Sequence, residues 1–307
     1  MKRKKGLLNA AAVFLCWAFC ILGASEIFFR FLPVSHGINQ ALSSRLWFKE
    51  YWKPVNRLGF RDFEIEENAA GKKKVIVLGD SFAAGHGIRS VKDRFSNILA
   101  GKLGRDFRVF NLGVNGAGTL QEINTLHSFP FKPDILILSY SPDDIKERAL
   151  SLGVKFEGFM PYEHLSPWLR FLVSRSYVCN FVFWRLPHAE YGRYFSFLES
   201  AYANEAVFNA HLGDLKHFID YSRAQGASLY AVIFPYFGAA AQNQAYLGKV
   251  ADFFKGEGIA AIEVARLTAG IPPERLVVNR TDQHANEQVN AIVADELFRR
   301  LTQDGRF

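Results

Sequence analysis

Five short runs of the chain are apolar at almost every position: KVIVLG (74–79), FRVFNLG (107–113), DILILSY (134–140), SLYAVIFP (228–235) and IAAIEV (259–264). Runs of this length without polar alternation describe strands buried on both faces. Between and after them the spacing becomes helical, near 90–103, 118–128, 203–224, 240–256 and 286–302. Strands that alternate with helices predict a parallel sheet covered on both sides, an α/β three-layer domain.

Two regions interrupt this rhythm. Residues 33–72 carry Pro33, Gly37, Pro54, Gly71 and the segment NRLGFRDFEIEE, with no long periodicity, and read as a connector. Residues 150–202 are crowded with Phe159, Tyr162, Trp168, Phe171, Tyr177, Phe181, Phe183, Trp184, Tyr191, Tyr194 and Phe195. A membrane span over 168–186 would bury Arg170, Arg175 and Arg185, each at about 2.5–3.5 kcal/mol. An amphipathic helical insertion fits instead, opened by Ser166 as cap and Pro167 in the first turn. Packing on the domain accounts for its aromatic content; a lid or a membrane-facing ledge beside the active site is the second reading.

At the other end of the hydropathy scale, LLNAAAVFLCWAFCILGAS (7–25) has no charge and follows Lys2, Arg3, Lys4 and Lys5. Such a run, helical at about 1.5 Å per residue, nearly crosses a bilayer core. Basic flanks stay cytoplasmic, so the remainder is expected across the membrane. Residues 1–32 are accordingly read as basic flank and single-pass inner-membrane anchor, with 73–307 as one domain facing the periplasm or cell exterior. A signal peptide cleaved near Ser25 is the rival, but the apolar run continues through Ile27, Phe28 and Phe29.

The 49% hydrophobic content suffices for a sizeable core. Four of the net +7 charges sit in the amino-terminal flank, so no nucleic-acid footprint is indicated. Cys16 and Cys20 fall in the anchor, and Cys179 in SYVCNFVFW reads as a packed thiol, which leaves the domain no intrachain disulfide.

Candidate chemistry begins where the first strand ends, in VIVLGDSFAAGHGI (75–88). A buried strand running into Gly79-Asp80-Ser81 can deliver a serine to the rim of the sheet. Serine needs a base to take its proton, and His284, in NRTDQHANEQVNAIVADEL, lies after the last strand and directly before the last helix. Open parallel sheets place working loops at the carboxyl ends of their strands, which would bring both residues to one rim. Asp282, two residues earlier, can orient the imidazole and fix its tautomer. Asp80 reads as a structural hydrogen-bonder at the turn, and His86 as an exposed loop histidine. His211 and His217, six apart, share no helix face, and no Cys or carboxylate cluster has metal spacing. The Gly116-Ala117-Gly118 stretch is no dinucleotide fingerprint. Neither metal nor cofactor is expected.

Together these blocks, with Gly116 in NLGVNGAGT after the second strand and a polar segment after the third, resemble the SGNH (GDSL-type) hydrolase superfamily over residues 74–302. NRLGFRDFEIEE ahead of the first strand, with the anchor, is similar to its membrane-anchored bacterial branch. The resemblance implies a flavodoxin-like sheet and hydrolysis of oxygen esters, often acyl groups on carbohydrate. It implies Ser81 as nucleophile, His284 as base and Asp282 as its partner, with an oxyanion hole from the N–H groups of Ser81 and Gly116. A third donor, Asn in the family, is replaced by Asp143 in SYSPDDI. An ionised carboxylate has no proton to donate and repels the developing charge. Three readings stay open: Asp143 is protonated, another donor replaces it, or the protein is a weak or specialised catalyst.

The expected function is a membrane-anchored esterase that removes O-acyl groups, acetyl foremost, from an envelope or exported polysaccharide or glycoconjugate. Proteins of polysaccharide biosynthesis would be its partners. An O-acyltransferase using the same triad, or a catalytically impaired carbohydrate-binding or assembly protein, are the alternatives.

Overall fold

The computed structural model describes residues 2–37, 40–65, 71–156 and 161–306; Phe159 and the end of NRLGFRDFEIEE lie outside them. The amino-terminal part contains α1 (Lys2–Phe29) and α2 (Leu42–Tyr51). Then follow β1 (Lys73–Gly79), α3 (Ser81–Ala84), α4 (Phe95–Leu103), β2 (Phe107–Asn111), α5 (Thr119–Ser128) and β3 (Ile135–Tyr140). After α6 (Lys146–Ser151), the insertion comprises α7 (Pro167–Arg175), α8 (Tyr177–Phe183) and α9 (Ala189–Ala203). The chain closes with α10 (Glu205–Gln225), β4 (Ser228–Ile233), α11 (Ala240–Gly256), β5 (Ala260–Glu263), α12 (Val264–Leu267), β6 (Val277–Asn279), β7 (Asp282–Ala285) and α13 (Glu287–Gln303).

Five strands form one parallel sheet in the order β2-β1-β3-β4-β5. This is the flavodoxin-like doubly wound order. Side chains alternate across a strand, so each apolar run feeds two cores. Ile76, Leu78, Leu136, Leu138 and Tyr140 pack under α5, α9, α10 and α11. Val75, Val77, Ile135, Ile137 and Val232 pack under α4 and α13. Full burial of a Val, Leu or Ile side chain is worth about 1.5–3 kcal/mol, so continuous runs serve both layers. The order reverses between β1 and β3, and their carboxyl ends open the crevice where ligands bind in such sheets.

The helix expected over 203–224 is α10, which starts at Glu205 because the Asn204 side chain caps it by accepting from the Ala206 and Val207 amides. Two sequence expectations change. The connector is not featureless: it holds α2, whose Trp47 is buried. His284 lies not in a loop but on β7, which pairs antiparallel with β6; VVN and DQHA are too short and too polar to show a strand pattern.

Helix α1 contains a segment, Asn9–Phe29, long and apolar enough to cross a membrane, with mean hydropathy 2.0. Its Glu26 accepts hydrogen bonds from Ser176 Oγ and from the Tyr177 and Val178 amides. That carboxylate therefore ties the helix to the start of α8.

Candidate active site

Ser81 opens α3 immediately after β1. Gly79 permits the sharp turn, since its φ is 151° and a Cβ there would lie 2.7 Å from the Ser139 Cβ and carbonyl oxygen. Asp80 caps the short helix, Oδ1 accepting from the Phe82 amide at 2.8 Å and Oδ2 from Ser141 Oγ at 2.8 Å. Asp80 is thus the hydrogen-bonder at the turn that its position suggested. Burial pushes its carboxyl up to about 6, the Phe82 amide opposing and the nearby Asp143 adding to the rise.

His284, the candidate base, arrives on β7. Residues two apart in a strand share a face, which sets Asp282 and His284 side by side. Asp282 Oδ1 lies 2.5 Å from His284 Nδ1 and accepts from the His284 amide at 3.2 Å. His284 Nε2 lies 2.8 Å from Ser81 Oγ. With Nδ1–H donated to the carboxylate, Nε2 is the free acceptor for the serine proton. Asp282 is fully buried, and burial alone would raise its pKa; His284 and His86 together with the Ser35 hydroxyl hold it well below the usual carboxylate range. Burial of the His284 ring disfavours its charge, but Asp282, with Asp80 and Asp143, more than offsets this and raises its pKa above the ordinary histidine value.

The 33–72 segment completes the arrangement in a way its sequence did not announce. Ser35 Oγ donates to Asp282 Oδ2, Asn279 donates to the Ser35 carbonyl at 2.9 Å, and the Gly37 amide donates to Thr281 at 3.0 Å. The hairpin bearing Asp282 and His284 is fastened to residues 35–37. Further along, Arg61 donates to the carbonyls of Gly85, Ile88 and Tyr51, and Arg94 pairs with Asp62 at 2.9 Å. NRLGFRDF therefore straps the loop that follows Ser81.

His86 requires a correction. It is buried rather than exposed, stacked on His284 with ring centroids 4.3 Å apart and on Trp47 at 5.8 Å. Its Nδ1 faces Asn115 Nδ2 at 3.1 Å and its Nε2 the His36 carbonyl at 3.0 Å. Burial and the adjacent His284 push its pKa down to about 4, so it is a neutral plate against the His284 imidazole. Ligand atoms of His86, Asp282 and His284 also lie within 4.8 Å of one another, a grouping hidden by their sequence separation. Their nitrogens are already engaged with Ser81, Asp282, His36 and Asn115. His211 is a core residue, its Nε2 2.9 Å from the Tyr140 hydroxyl.

A cavity of about 580 Å³ opens over the serine, lined by Ser81, His284, Gly116 and Asp143 and walled by Tyr191, Tyr194 and Phe195 of α9. Gly116 is left-handed, φ 77°, with open space where a Cβ would stand. Asp143 Oδ1 accepts from the Tyr194 hydroxyl at 2.5 Å, and burial, together with this carboxylate, raises the pKa of Tyr236. The two tyrosines were missed as site residues; Tyr194 stood out only as one of many aromatics, and Tyr236 follows β4, at the same rim.

No family model matches the chain, and no curated protein matches it. Solved structures similar to it include that of TesA, 13% identical, covering 75% of this chain and 99% of that one at a TM-score of 0.48. A protein of Desulfitobacterium hafniense DCB-2, described as lipolytic and of the G-D-S-L family, is 13% identical over 74% of this chain and 99% of its own, at 0.47. A carbohydrate acetylesterase family member from Sinorhizobium meliloti is 13% identical over 75% and 98%, at 0.42. At such identity, function rests on the site's own geometry.

Proposed function

We propose that this chain is a serine ester hydrolase of the SGNH type, anchored through α1 and acting outside the cytoplasm on O-acyl groups of an envelope glycan. The observation that carries this reading is the unbroken relay from Ser81 Oγ through His284 to the buried Asp282. Ser81 Oγ attacks the acyl carbonyl carbon as His284 Nε2 takes its proton. The imidazolium then protonates the departing alcohol as the ester C–O bond breaks, leaving acyl-Ser81. Water adds in the same manner, giving its proton to His284, and the carboxylic acid leaves as Ser81 recovers its proton. The N–H groups of Ser81 and Gly116 are assigned to the oxyanion, with Asp143 beside them. A sugar hydroxyl in place of water would make the same relay an O-acyltransferase. Asp143 is the feature that favours the third reading, a binding or assembly module.

Anchoring is supported by the Asn9–Phe29 segment and by the Glu26 bonds to α8. Exposed Trp168, Leu169 and Phe171 on α7 support the insertion as a ledge on the membrane surface. The test uses the full chain in detergent with acetylated oligosaccharides. Release of free acetate supports the hydrolase, and acetate appearing only on an added sugar acceptor supports the transferase. Neither product, under conditions where a small activated acetate ester is also untouched, sinks both.

A further inference from the structure

Beyond the catalytic cavity the cleft continues. A second hollow of about 420 Å³ shares Tyr191, Phe195, Tyr236, Thr281 and Gln283 with the first, so the two are one groove with a common aromatic wall. Arg185 and Arg280 line this continuation. Arg185 sits over the Phe181 ring, its guanidinium carbon 3.6 Å from the centroid. The two guanidiniums are close enough that the charge of Arg280 lowers the pKa of Arg185, in addition to the effect of burial. Among the described residues, neither makes an ion pair within 4.0 Å. Lys146 supplies another cation in the serine cavity.

Two like charges held together without a counter-charge are mutually repulsive, and an anion between them removes that cost. With Lys146 in the adjoining serine cavity, cations stand in both hollows of the groove, as a chain carrying repeated negative charges requires. The groove also carries hydroxyl-recognising chemistry. Amide oxygens of Gln40, Asn115 and Gln283, all lining the serine cavity, meet no donor among the described residues. A buried acceptor without a donor is destabilising, and a ligand hydroxyl relieves that cost. Aromatic faces such as Tyr191 and Tyr236 give sugar rings an apolar surface.

We propose that the groove is a subsite for an acidic glycan, with a uronate carboxylate seated at Arg185 and Arg280 while a neighbouring sugar presents its ester to Ser81. The assignment of the ester-bearing sugar rests on the esterase reading; the carboxylate subsite does not.

The experiment measures binding of a galacturonate trisaccharide, and of its carboxyl-reduced neutral counterpart, to the full chain in detergent carrying Ser81→Ala. The uronate is expected to bind at least tenfold more tightly than the neutral sugar, and less tightly as salt rises. Arg185→Gln and Arg280→Gln should each weaken it about tenfold and the double change should remove the preference. In chains that keep Ser81, both changes should leave turnover of a small neutral acetate ester within twofold, which shows that the fold is intact. Equal binding of both sugars, or a preference that survives the double change, overturns the subsite. Tighter binding of inorganic phosphate than of the uronate, lost in the same variants, overturns the uronate assignment in favour of a phosphorylated ligand. Charge-dependent binding in a chain that hydrolyses no ester would overturn the esterase reading and leave the subsite standing.

Discussion

The two walls of the groove over Ser81 are built on opposite principles. The wall that carries Ser81, Asp282 and His284 is fastened by buried polar groups, Ser35, Asp80, Ser141, Arg61 and Arg94 among them. Every one of those groups has a partner whose loss would leave a desolvated charge or hydroxyl, so the geometry of the relay is rigidly specified. The facing wall comes from the insertion. There α9 packs Tyr194, Phe197 and Leu198 into the core, while α7 buries no side chain. Apolar packing tolerates substitution of similar volume, so the relay wall sets the chemistry and the insertion wall is free to set what is held against it.

The largest expected effect lies in the rigid wall. Asp282→Asn keeps the shape but presents an amide to His284 Nδ1, which favours the wrong tautomer; by the serine-protease precedent turnover should fall about 10⁴-fold. A loss under tenfold, measured on an activated acetate ester, would make the two walls equivalent.

Asp143 sits where the walls meet, bonded across the groove to Tyr194. Removal of an oxyanion donor costs about 2.7–4 kcal/mol, or 10²–10³ in turnover. Asp143→Asn keeps an oxygen for a tyrosine hydroxyl and adds an N–H₂, so turnover is expected to rise towards that factor. A fall instead would assign the carboxylate to holding Tyr194 and Tyr236 in place, and would extend the rigid wall into the insertion.

Acidity separates the walls further. The base must be neutral, and against the effect of burial the pKa of His284 is raised by Asp282, Asp80 and Asp143; activity should therefore rise with pH through an apparent pKa above that of a free histidine and fall away below it. Asp282→Asn removes the charge that raises it, so the residual activity should persist to lower pH. A wild-type pH–rate profile that is flat from about pH 5 to 8 would contradict this.

The smallest effect is expected at the ring behind the base. His86→Phe retains a plate against His284 but loses the bonds to His36 and Asn115. Turnover should drop less than tenfold with the acid limb unmoved, because His86, pushed to about 4, is already neutral there.

The sheet was legible because its signal is local: each strand is a continuous apolar run followed by a helix, and order along the chain constrains order in the sheet. The three members of the relay were legible for a related reason. Ser81 directly follows a strand, and Asp282 and His284 stand two apart before the last helix. What the sequence hid was long-range. Ser35 and Asp282 are 247 positions apart, Tyr194 and Asp143 51 apart, and each is a single polar residue in an unpatterned or aromatic stretch. His86 was misread because flanking glycines suggest a solvated loop, whereas here Gly85 abuts the buried Arg94 side chain and Gly87 abuts Val278. Those glycines permit close packing. They do not signal exposure.

The most direct test of the central claim is covalent labelling of the full chain in detergent with a fluorophosphonate, followed by mass mapping of the adduct. The account predicts one stoichiometric adduct on Ser81, absent from Ser81→Ala and slowed in His284→Ala because the serine then has no base. An unlabelled Ser81 in folded protein would contradict it.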